Sequence, residues 1–286
     1  MSMLSILSAI ELSQEYLEKK QIDSARINAE LLLANILDCK RMDLYLRFDQ
    51  PLSKSETAEY REAIRRRGLK EPLQYIIGEV EFYGLVFNVN PKVLIPRQET
   101  EILVESIIDS IIPEDDIKIL DIGCGSGNII ISLVKNIKNS VGISIDNSEE
   151  ALTIAKENAE LNNVVNEISF IKKDILIDEI DDLGNFDSIV SNPPYVSKKE
   201  FNTLQKEILD YEPKNAVTDF NDGLSFYKVI SQKSKSILKP NGKLFFEVGY
   251  NQAEDVKNIM LENSLKEIQI VKDYSNIERV VFGEVD

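Results

Sequence analysis

The sequence predicts an α/β fold: a mostly parallel, doubly wound sheet of seven strands, preceded by a small helical N-terminal domain and joined to it by a β-hairpin linker. Three observations carry this. From Glu99 onward, short runs rich in Val, Ile and Phe take turns with longer helix-period stretches, the alternation that builds a parallel sheet with helices on both faces. The strand-like run 117–122 leads into the glycine-rich turn Gly123-Cys124-Gly125-Ser126-Gly127, and the apolar run 186–190 leads into a second distinctive turn, Asn192-Pro193-Pro194-Tyr195. Residues 3–70, by contrast, read as helical. With 286 residues and 43% hydrophobic content, the chain can bury one large core and one small one. The expected boundaries are 1–80 for the helical domain, 81–93 for the linker and 94–286 for the sheet domain.

In chain order, a first amphipathic stretch carries Leu4, Leu7, Tyr16 and Leu17. A second, over 25–37, has Ile27, Leu31, Leu32 and Ile36 on one side. Ser53-Lys54-Ser55-Glu56 has the capping-box pattern, which opens a third helix ending near Gly68. Arg61, Arg65, Arg66 and Arg67 decorate that helix; they form either an ordinary solvated face, the preferred reading, or a contact for an acidic or RNA-bearing partner. Residues 81–89 alternate around a central Gly84 and read as a hairpin. Strands are expected at 117–122, 141–145, 167–172, 186–191, 242–248, 266–272 and 278–283, with helices at 99–111, 127–137, 148–162, 224–237 and 251–263. Only 273–277 separates the last two strands, so they must form an antiparallel hairpin at one end of the sheet.

Composition excludes several classes. No run of 18 apolar residues exists, so no membrane span is expected, and the N-terminus lacks the basic region of a secretory signal. Cys39 and Cys124 are the two cysteines and there is no histidine. That gives neither a disulfide framework nor a four-ligand zinc site, so no metal is expected and a reducing, cytoplasmic setting fits. It also removes the commonest acid–base side chain near neutral pH. Residues 1–80 carry 12 Lys and Arg against 13 Asp and Glu; residues 81–286 carry 21 against 36. So acidic a surface repels duplex nucleic acid and suits a basic protein partner, although solubility alone also accounts for it.

Two turns carry the chemistry. Asp121-Ile122-Gly123-Cys124-Gly125-Ser126-Gly127 is a D-x-G-x-G-x-G loop between a strand and a helix. Its glycines let the backbone approach a ligand and adopt positive φ. Asp146 follows Gly127 by 19 residues at the end of the next strand, where a carboxylate can accept both hydroxyls of a ribose. The spacing differs from the G-x-G-x-x-G of pyrophosphate binders, so no phosphate need be held. Cys124 reads as a small backbone-donor position rather than a reactive thiol. Asp174 and Ile175 end the third strand; they either contact an adenine amino group and ring, or Asp174 only caps a turn. In Asn192-Pro193-Pro194-Tyr195 two prolines remove two backbone donors. The Pro193 carbonyl and the Asn192 side chain are then two acceptors for both hydrogens of an –NH2 group, and Tyr195 offers a flat face to a planar acceptor. Together the two turns point to methyl transfer from S-adenosylmethionine to nitrogen.

The combination resembles the S-adenosylmethionine-dependent amino-methyltransferases, and more narrowly the protein-(glutamine-N5) methyltransferases of peptide-chain release factors. The resemblance covers nearly the whole chain. It rests on Glu71-Pro72-Leu73-Gln74-Tyr75-Ile76, Glu81-Phe82-Tyr83-Gly84, Leu94-Ile95-Pro96-Arg97-Gln98-Glu99-Thr100-Glu101, residues 121–127 and Ser191-Asn192-Pro193-Pro194-Tyr195. Tyr211-Glu212-Pro213, Asp222-Gly223-Leu224, Gly242 and Glu247-Val248-Gly249 complete it. The tetrapeptide is shared with adenine methyltransferases; the segments at 71–84 and 94–101 are more specific to the glutamine enzymes. Gln98 stands where the family usually has proline, and Phe220-Asn221 stands where glycines are usual. The resemblance implies a Rossmann-like methyltransferase sheet and an N-terminal domain that helps dock class I release factors. It places Gly123, Gly125, Gly127, Asp146, Asp174 and Ile175 around the cofactor. Asn192, Pro193 and Tyr195 then grip the glutamine amide of a Gly-Gly-Gln tripeptide. Competing readings are an adenine N6-methyltransferase of DNA or RNA, a glutamine methyltransferase of a ribosomal protein, and a non-enzymatic S-adenosylmethionine sensor. The first predicts a basic groove that this acidic chain lacks, so direct DNA binding is not expected; an intact acceptor grip argues against the sensor.

Overall fold

A computed structural model describes residues 4–111 and 116–286; residues 1–3 of the expected helical span and 112–115 of the expected sheet domain lie outside the described residues. The chain forms two compact units, one of residues up to Gly78 with Gln205–Tyr211, the other of Glu79–Leu204 with Glu212–Asp286.

In the first unit, α1 (Ile6–Lys19), α2 (Ala25–Ile36), α3 (Asp43–Leu46), α4 (Lys54–Gly68) and α5 (Leu73–Ile77) enclose a core of Ile6, Ile10, Leu17, Leu32, Leu33 and Tyr60. The face that α2 buries differs from the expected one. Ala25, Ala29, Leu32 and Leu33 point inward, while Ile27 is exposed, because small alanines let helices approach closely and large size alone does not fix the inner face. The capping box forms as expected: Ser53 Oγ accepts from the Glu56 N–H at 3.2 Å and Glu56 Oε2 accepts from the Ser53 N–H at 2.6 Å. The arginines divide. Arg61 is exposed, Arg65 pairs with Glu62 and Arg66 with Glu71. Arg67 is buried and belongs to neither expected class; it donates to Asn28 Oδ1 (2.7 Å), the Glu71 carbonyl (2.9 Å) and Glu207 Oε1 (2.9 Å). That ion pair, with the Tyr211 hydroxyl on the Leu69 carbonyl, ties residues 205–211 into this unit across a long stretch of sequence. The helices α3 and α5, too short to show a period, had no signal of their own.

The second unit opens with the hairpin β1 (Glu79–Phe82) and β2 (Leu85–Asn88). Tyr83 and Gly84 both have positive φ, 49° and 71°, the turn whose twist matches paired strands. Phe82 and Phe87 are fully buried in the sheet's core, so the hairpin packs as part of this unit. The sheet holds β3 (Ile117–Ile122), β4 (Ser140–Asp146), β5 (Ile168–Lys172), β6 (Phe186–Ser191), β7 (Leu238–Glu247), β8 (Lys266–Lys272) and β9 (Glu278–Glu284) in the order β5-β4-β3-β6-β7-β9-β8. Pairs from β5 to β7 are parallel, and β9 runs antiparallel between β7 and β8. Side chains alternate between two cores: Ile117, Ile119, Val190 and Phe245 on one face, Leu120, Ile122, Ile189 and Phe246 on the other. The first lies under α6 (Glu101–Ser110), α7 (Asn128–Asn136) and α8 (Glu149–Leu161). After the short α9 (Lys198–Phe201) and α10 (Lys206–Tyr211), α11 (Ser225–Ile237) and α12 (Ala253–Glu262) cover the second. The strand expected at 242–248 starts earlier, at Leu238, through an irregular register opposite Phe186 and Ser188.

The turn at 219–225 closes without the glycines usual in the resembling family. Asp219 organises it, its carboxylate accepting from the N–H groups of Asn221 (2.8 Å), Gly223 (3.0 Å) and Ser225 (3.1 Å). Phe220 therefore sits at a φ of 58°, where a Cβ costs about 1–2 kcal/mol. Because Phe220 is 53% exposed, Phe220→Gly should raise unfolding free energy by up to about 1 kcal/mol after glycine's own entropy cost, measured by urea denaturation. A loss of stability would show that the ring contributes packing that outweighs the backbone strain.

Candidate active site

At the carboxyl ends of β3, β4, β5 and β6 lies a cleft of about 1020 Å³, mouth included. Such clefts form where strand order reverses in an open α/β sheet, here between β3 and β6. Gly123, Cys124, Gly125, Ser126, Asp146, Asp174, Ile175, Asn192, Pro193 and Pro194, all expected site residues, line it together. Gly127 and Tyr195 are expected site residues that do not: Gly127 faces α7 and α8, and the Tyr195 ring packs against the core under α11 and α12.

The glycine loop is held from below. Gly123 and Cys124 both donate their N–H to the Ile145 carbonyl, at 2.8 and 3.2 Å. The Cys124 amide is thus spent on the neighbouring strand end and is no donor to the cleft. Its thiol is buried and pushed well up by that burial, which removes thiolate chemistry. Gly127 has a φ of 79°, and a Cβ there would come within 2.9 Å of Ile131 Cδ1 and 3.1 Å of Ala155 Cβ. Only glycine lets α7 and α8 pack against the loop at this point. Asp146 accepts from the N–H of Gly125 at 3.0 Å through one oxygen and of Ser148 at 2.9 Å through the other. Each oxygen keeps a further lone pair, and burial raises its pKa while the backbone bonds oppose the rise. Asp174 caps the next turn through the Leu176 N–H (2.9 Å) and also lines the cleft. Ile175 beside it is buried in the second core. The cleft therefore offers a glycine cradle, an oriented carboxylate and apolar walls from Ile122, Ile129, Ile145 and Ile175. That donor set fits the adenosine of S-adenosylmethionine.

On the other side, Ser191 Oγ donates to the Ile122 carbonyl at 2.7 Å and locks β6 to β3 just before Asn192. The Asn192 side-chain nitrogen donates to Thr100 Oγ1 at 3.3 Å. Tyr195 is clasped by Gln252, whose Nε2 donates to its carbonyl at 2.9 Å while Oε1 accepts from the Gly249 N–H at 3.0 Å. A Cβ on Gly223 would collide with that same carbonyl, and one on Gly249 would reach 2.9 Å from the Tyr195 ring.

Several of these residues escaped the sequence reading as site residues: Thr100, Glu247, Gln252, the ion pair of Arg97 with Glu212, and Asn158. The buried Asn158 bridges the Asn88 backbone and the Ser126 carbonyl. Their partners lie far away in sequence, so no local spacing marks them. The resembling-family segments at 94–101, 211–213 and 247–249 were the only signal.

Residues 8–78 match the PrmC N-terminal domain and residues 113–281 match a methyltransferase domain. The chain is 42% identical over 273 residues to the release factor glutamine methyltransferase of Fusobacterium nucleatum subsp. nucleatum, covering 95% of this chain and 77% of the relative. It is 36% identical over 283 residues to the protein of the same name from Geobacter sulfurreducens, covering 98% and 97%. A methyltransferase structure from Pyrococcus furiosus shares the fold, with a TM-score of 0.51 at 17% identity over 70% of this chain and 89% of that one.

One carboxyl near the cleft is wholly buried. Asp121, at the end of β3, accepts from Ser144 Oγ at 3.0 Å, and its other oxygen is without a partner. Burial pushes it up to about 7, opposed by Ser144 and helped by the charge of Asp146. Its pKa is raised in the folded state, so the folded protein binds this proton more tightly than the unfolded chain. Stability from this group is present below pH 4 and is lost as pH rises to about 7, at about 1.4 kcal/mol per unit of pKa difference. Asp121→Asn should flatten the fall in urea-unfolding free energy across that window. An unchanged slope would mean that Asp121 is ionised in the folded protein well below neutrality.

Proposed function

This chain belongs to the release factor glutamine methyltransferases, and from that premise we propose that it methylates the side-chain amide nitrogen, N5, of the glutamine in the Gly-Gly-Gln motif of class I peptide-chain release factors, with S-adenosylmethionine as donor. The observation that carries this is the meeting, in one cleft, of the glycine loop with Asp146 and of Asn192-Pro193-Pro194. The helical first unit is proposed to dock the release factor, and a cytoplasmic setting goes with that substrate. No helix among the described residues is long and apolar enough to cross a membrane. An adenine amino group would fit the same grip. The strongly acidic second unit and the names of the relatives favour the glutamine amide.

In this reading Asp146 accepts the ribose hydroxyls, Asp174 the adenine amino group, and Ile175 packs on the ring. S-adenosylmethionine, when bound, supplies a methyl group on a sulfonium, an intrinsically good leaving group. An amide nitrogen is a weak nucleophile because its lone pair is delocalised into the carbonyl. The Asn192 side-chain oxygen and the Pro193 carbonyl accept its two hydrogens, which turns the lone pair toward the cleft. Tyr195, whose ring packs against the core, holds the loop in place from behind rather than facing the amide. As the N–C bond forms, its electron pair comes from nitrogen and positive charge grows there. The two acceptors then bind more strongly than in the ground state, which lowers the barrier. The surplus proton on nitrogen leaves to water after transfer, so no side chain titrating near 7 is required, in keeping with a chain without histidine.

Two measurements test these roles. Asp146→Ala should weaken S-adenosylmethionine binding in calorimetry by about 1.5–3 kcal/mol for each charge-assisted bond lost; equal affinities would remove Asp146 from the ribose. Asn192→Ala should slow single-turnover methyl transfer to a release factor by about 10²–10³ at saturating cofactor, with cofactor affinity little changed. A rate near wild type would reduce the Asn192 loop to a rigid turn.

A further inference from the structure

We propose that Thr100 and Glu247 are positioning residues for methyl transfer: they hold the Asn192 side-chain amide so that its oxygen, and not its nitrogen, faces the acceptor. The inference rests on the reading of Asn192 as the acceptor grip. An asparagine amide carries an acceptor on one arm and two donors on the other. Rotated by half a turn, Asn192 would set its NH2 against the NH2 of the acceptor, donor against donor, and the grip would repel what it must hold.

Three elements converge to prevent that rotation. Asn192 follows β6, Thr100 precedes α6, and Glu247 ends β7. Thr100 and Glu247 are each only 2% exposed, so water does not readily satisfy their polar atoms. The Glu247 carboxyl lies beside the Thr100 hydroxyl and the Asn192 side chain, both of which favour its ionised form. An ionised carboxylate only accepts. The Thr100 proton is thereby directed to Glu247, and the Thr100 oxygen is left as an acceptor for Asn192 Nδ2 at 3.3 Å. With Glu247 ionised, the groups that Asn192 meets on this side accept, and its NH2 turns toward them. Glu247 Oε2 has no partner of its own, which leaves further accepting capacity on the same side. Burial raises the Glu247 carboxyl to about 7, against the hydrogen bonds from Thr100 and Asn192 and the charge of Arg279, and with the nearby Glu99 adding to the rise. A buried carboxylate without a direct cation partner is costly to stability. Its retention here is explained by what it orients. Gln252 fixes the far end of the same loop through the Tyr195 carbonyl, so rotation of the Asn192 amide is the remaining freedom.

The test is a double-mutant cycle on the full-length protein, read as single-turnover methyl transfer to a release factor at saturating S-adenosylmethionine, with cofactor affinity measured separately by calorimetry. Thr100→Val keeps the shape and removes the acceptor; it should slow transfer by about tenfold, the worth of one hydrogen bond, with cofactor affinity unchanged. Thr100→Ser restores the hydroxyl and should restore the rate. In an Asn192→Ala background Thr100→Val should cost nothing further, because there is no amide left to orient. Glu247→Gln puts an NH2 where the carboxylate was and should slow transfer comparably, which keeps the proposal open to test if the valine variant fails to fold. Equal losses in both backgrounds, a loss recovered by raising cofactor concentration, or no loss in either variant would overturn the proposal. Slow transfer by Asn192→Ala beside wild-type transfer by Thr100→Val would sink the positioning role alone. Wild-type transfer by Asn192→Ala would sink the acceptor reading beneath it.

Discussion

Between β3 and β6 the strand order reverses, so the loops leaving these two neighbouring strands run apart and open a cleft above the sheet. The glycine loop follows β3 and the Asn192 tetrapeptide follows β6. The hydrogen bond from Ser191 Oγ to the Ile122 carbonyl fixes the distance between the two loops at their roots. The donor side and the acceptor side of a transfer reaction are thereby held at one spacing by the sheet itself, whose strands are packed on both faces. Chemistry placed on such strand ends inherits the rigidity of the core, and loops alone would not supply it.

The same place is where the protein is least comfortable. Asp121, Glu212 and Glu247 each bury a carboxylate oxygen without a partner, and all three stand at or beside strand ends and loops around the cleft. Glu212 pairs with Arg97 through its other oxygen; for Asp121 and Glu247, removing a carboxylate from water without a direct cation partner is costly. In this protein the cost falls where polar atoms must be oriented toward a ligand, while the apolar cores under α6 to α8 and under α11 and α12 carry the fold. The buried carboxylate oxygens without partners thus stand near the cleft, whereas the other buried unpartnered polar atoms, on Arg47, Ser132 and Ser231, lie elsewhere.

What was legible in the sequence was whatever depends on short spacings. The glycine loop, Asp146 at the next strand end, the Asn192 tetrapeptide and the Ser53 capping box each sit within a local pattern whose geometry follows from backbone rules. The strands at 117–122 and 186–191 were legible for the same reason, as apolar runs buried on both faces. What was not legible depends on pairs far apart in the chain. Thr100 meets Asn192 across 92 residues and Arg67 meets Glu207 across 140; nothing near either residue announces the partner. The inner face of α2 was misread because Ala25 and Ala29, small and unremarked, are buried while Ile27 is exposed.

The central claim, that the Asn192 loop presents a glutamine amide to the methyl donor, is tested most directly by locating the transferred methyl. Purified protein is incubated with S-adenosylmethionine and a class I release factor, and the release factor is mapped by tandem mass spectrometry. The account predicts one added methyl group on the amide nitrogen of the glutamine in Gly-Gly-Gln, and none when that glutamine is replaced by glutamate. A methyl on a different side chain, or an unmodified release factor beside methylated adenine in a parallel incubation with DNA, would contradict it.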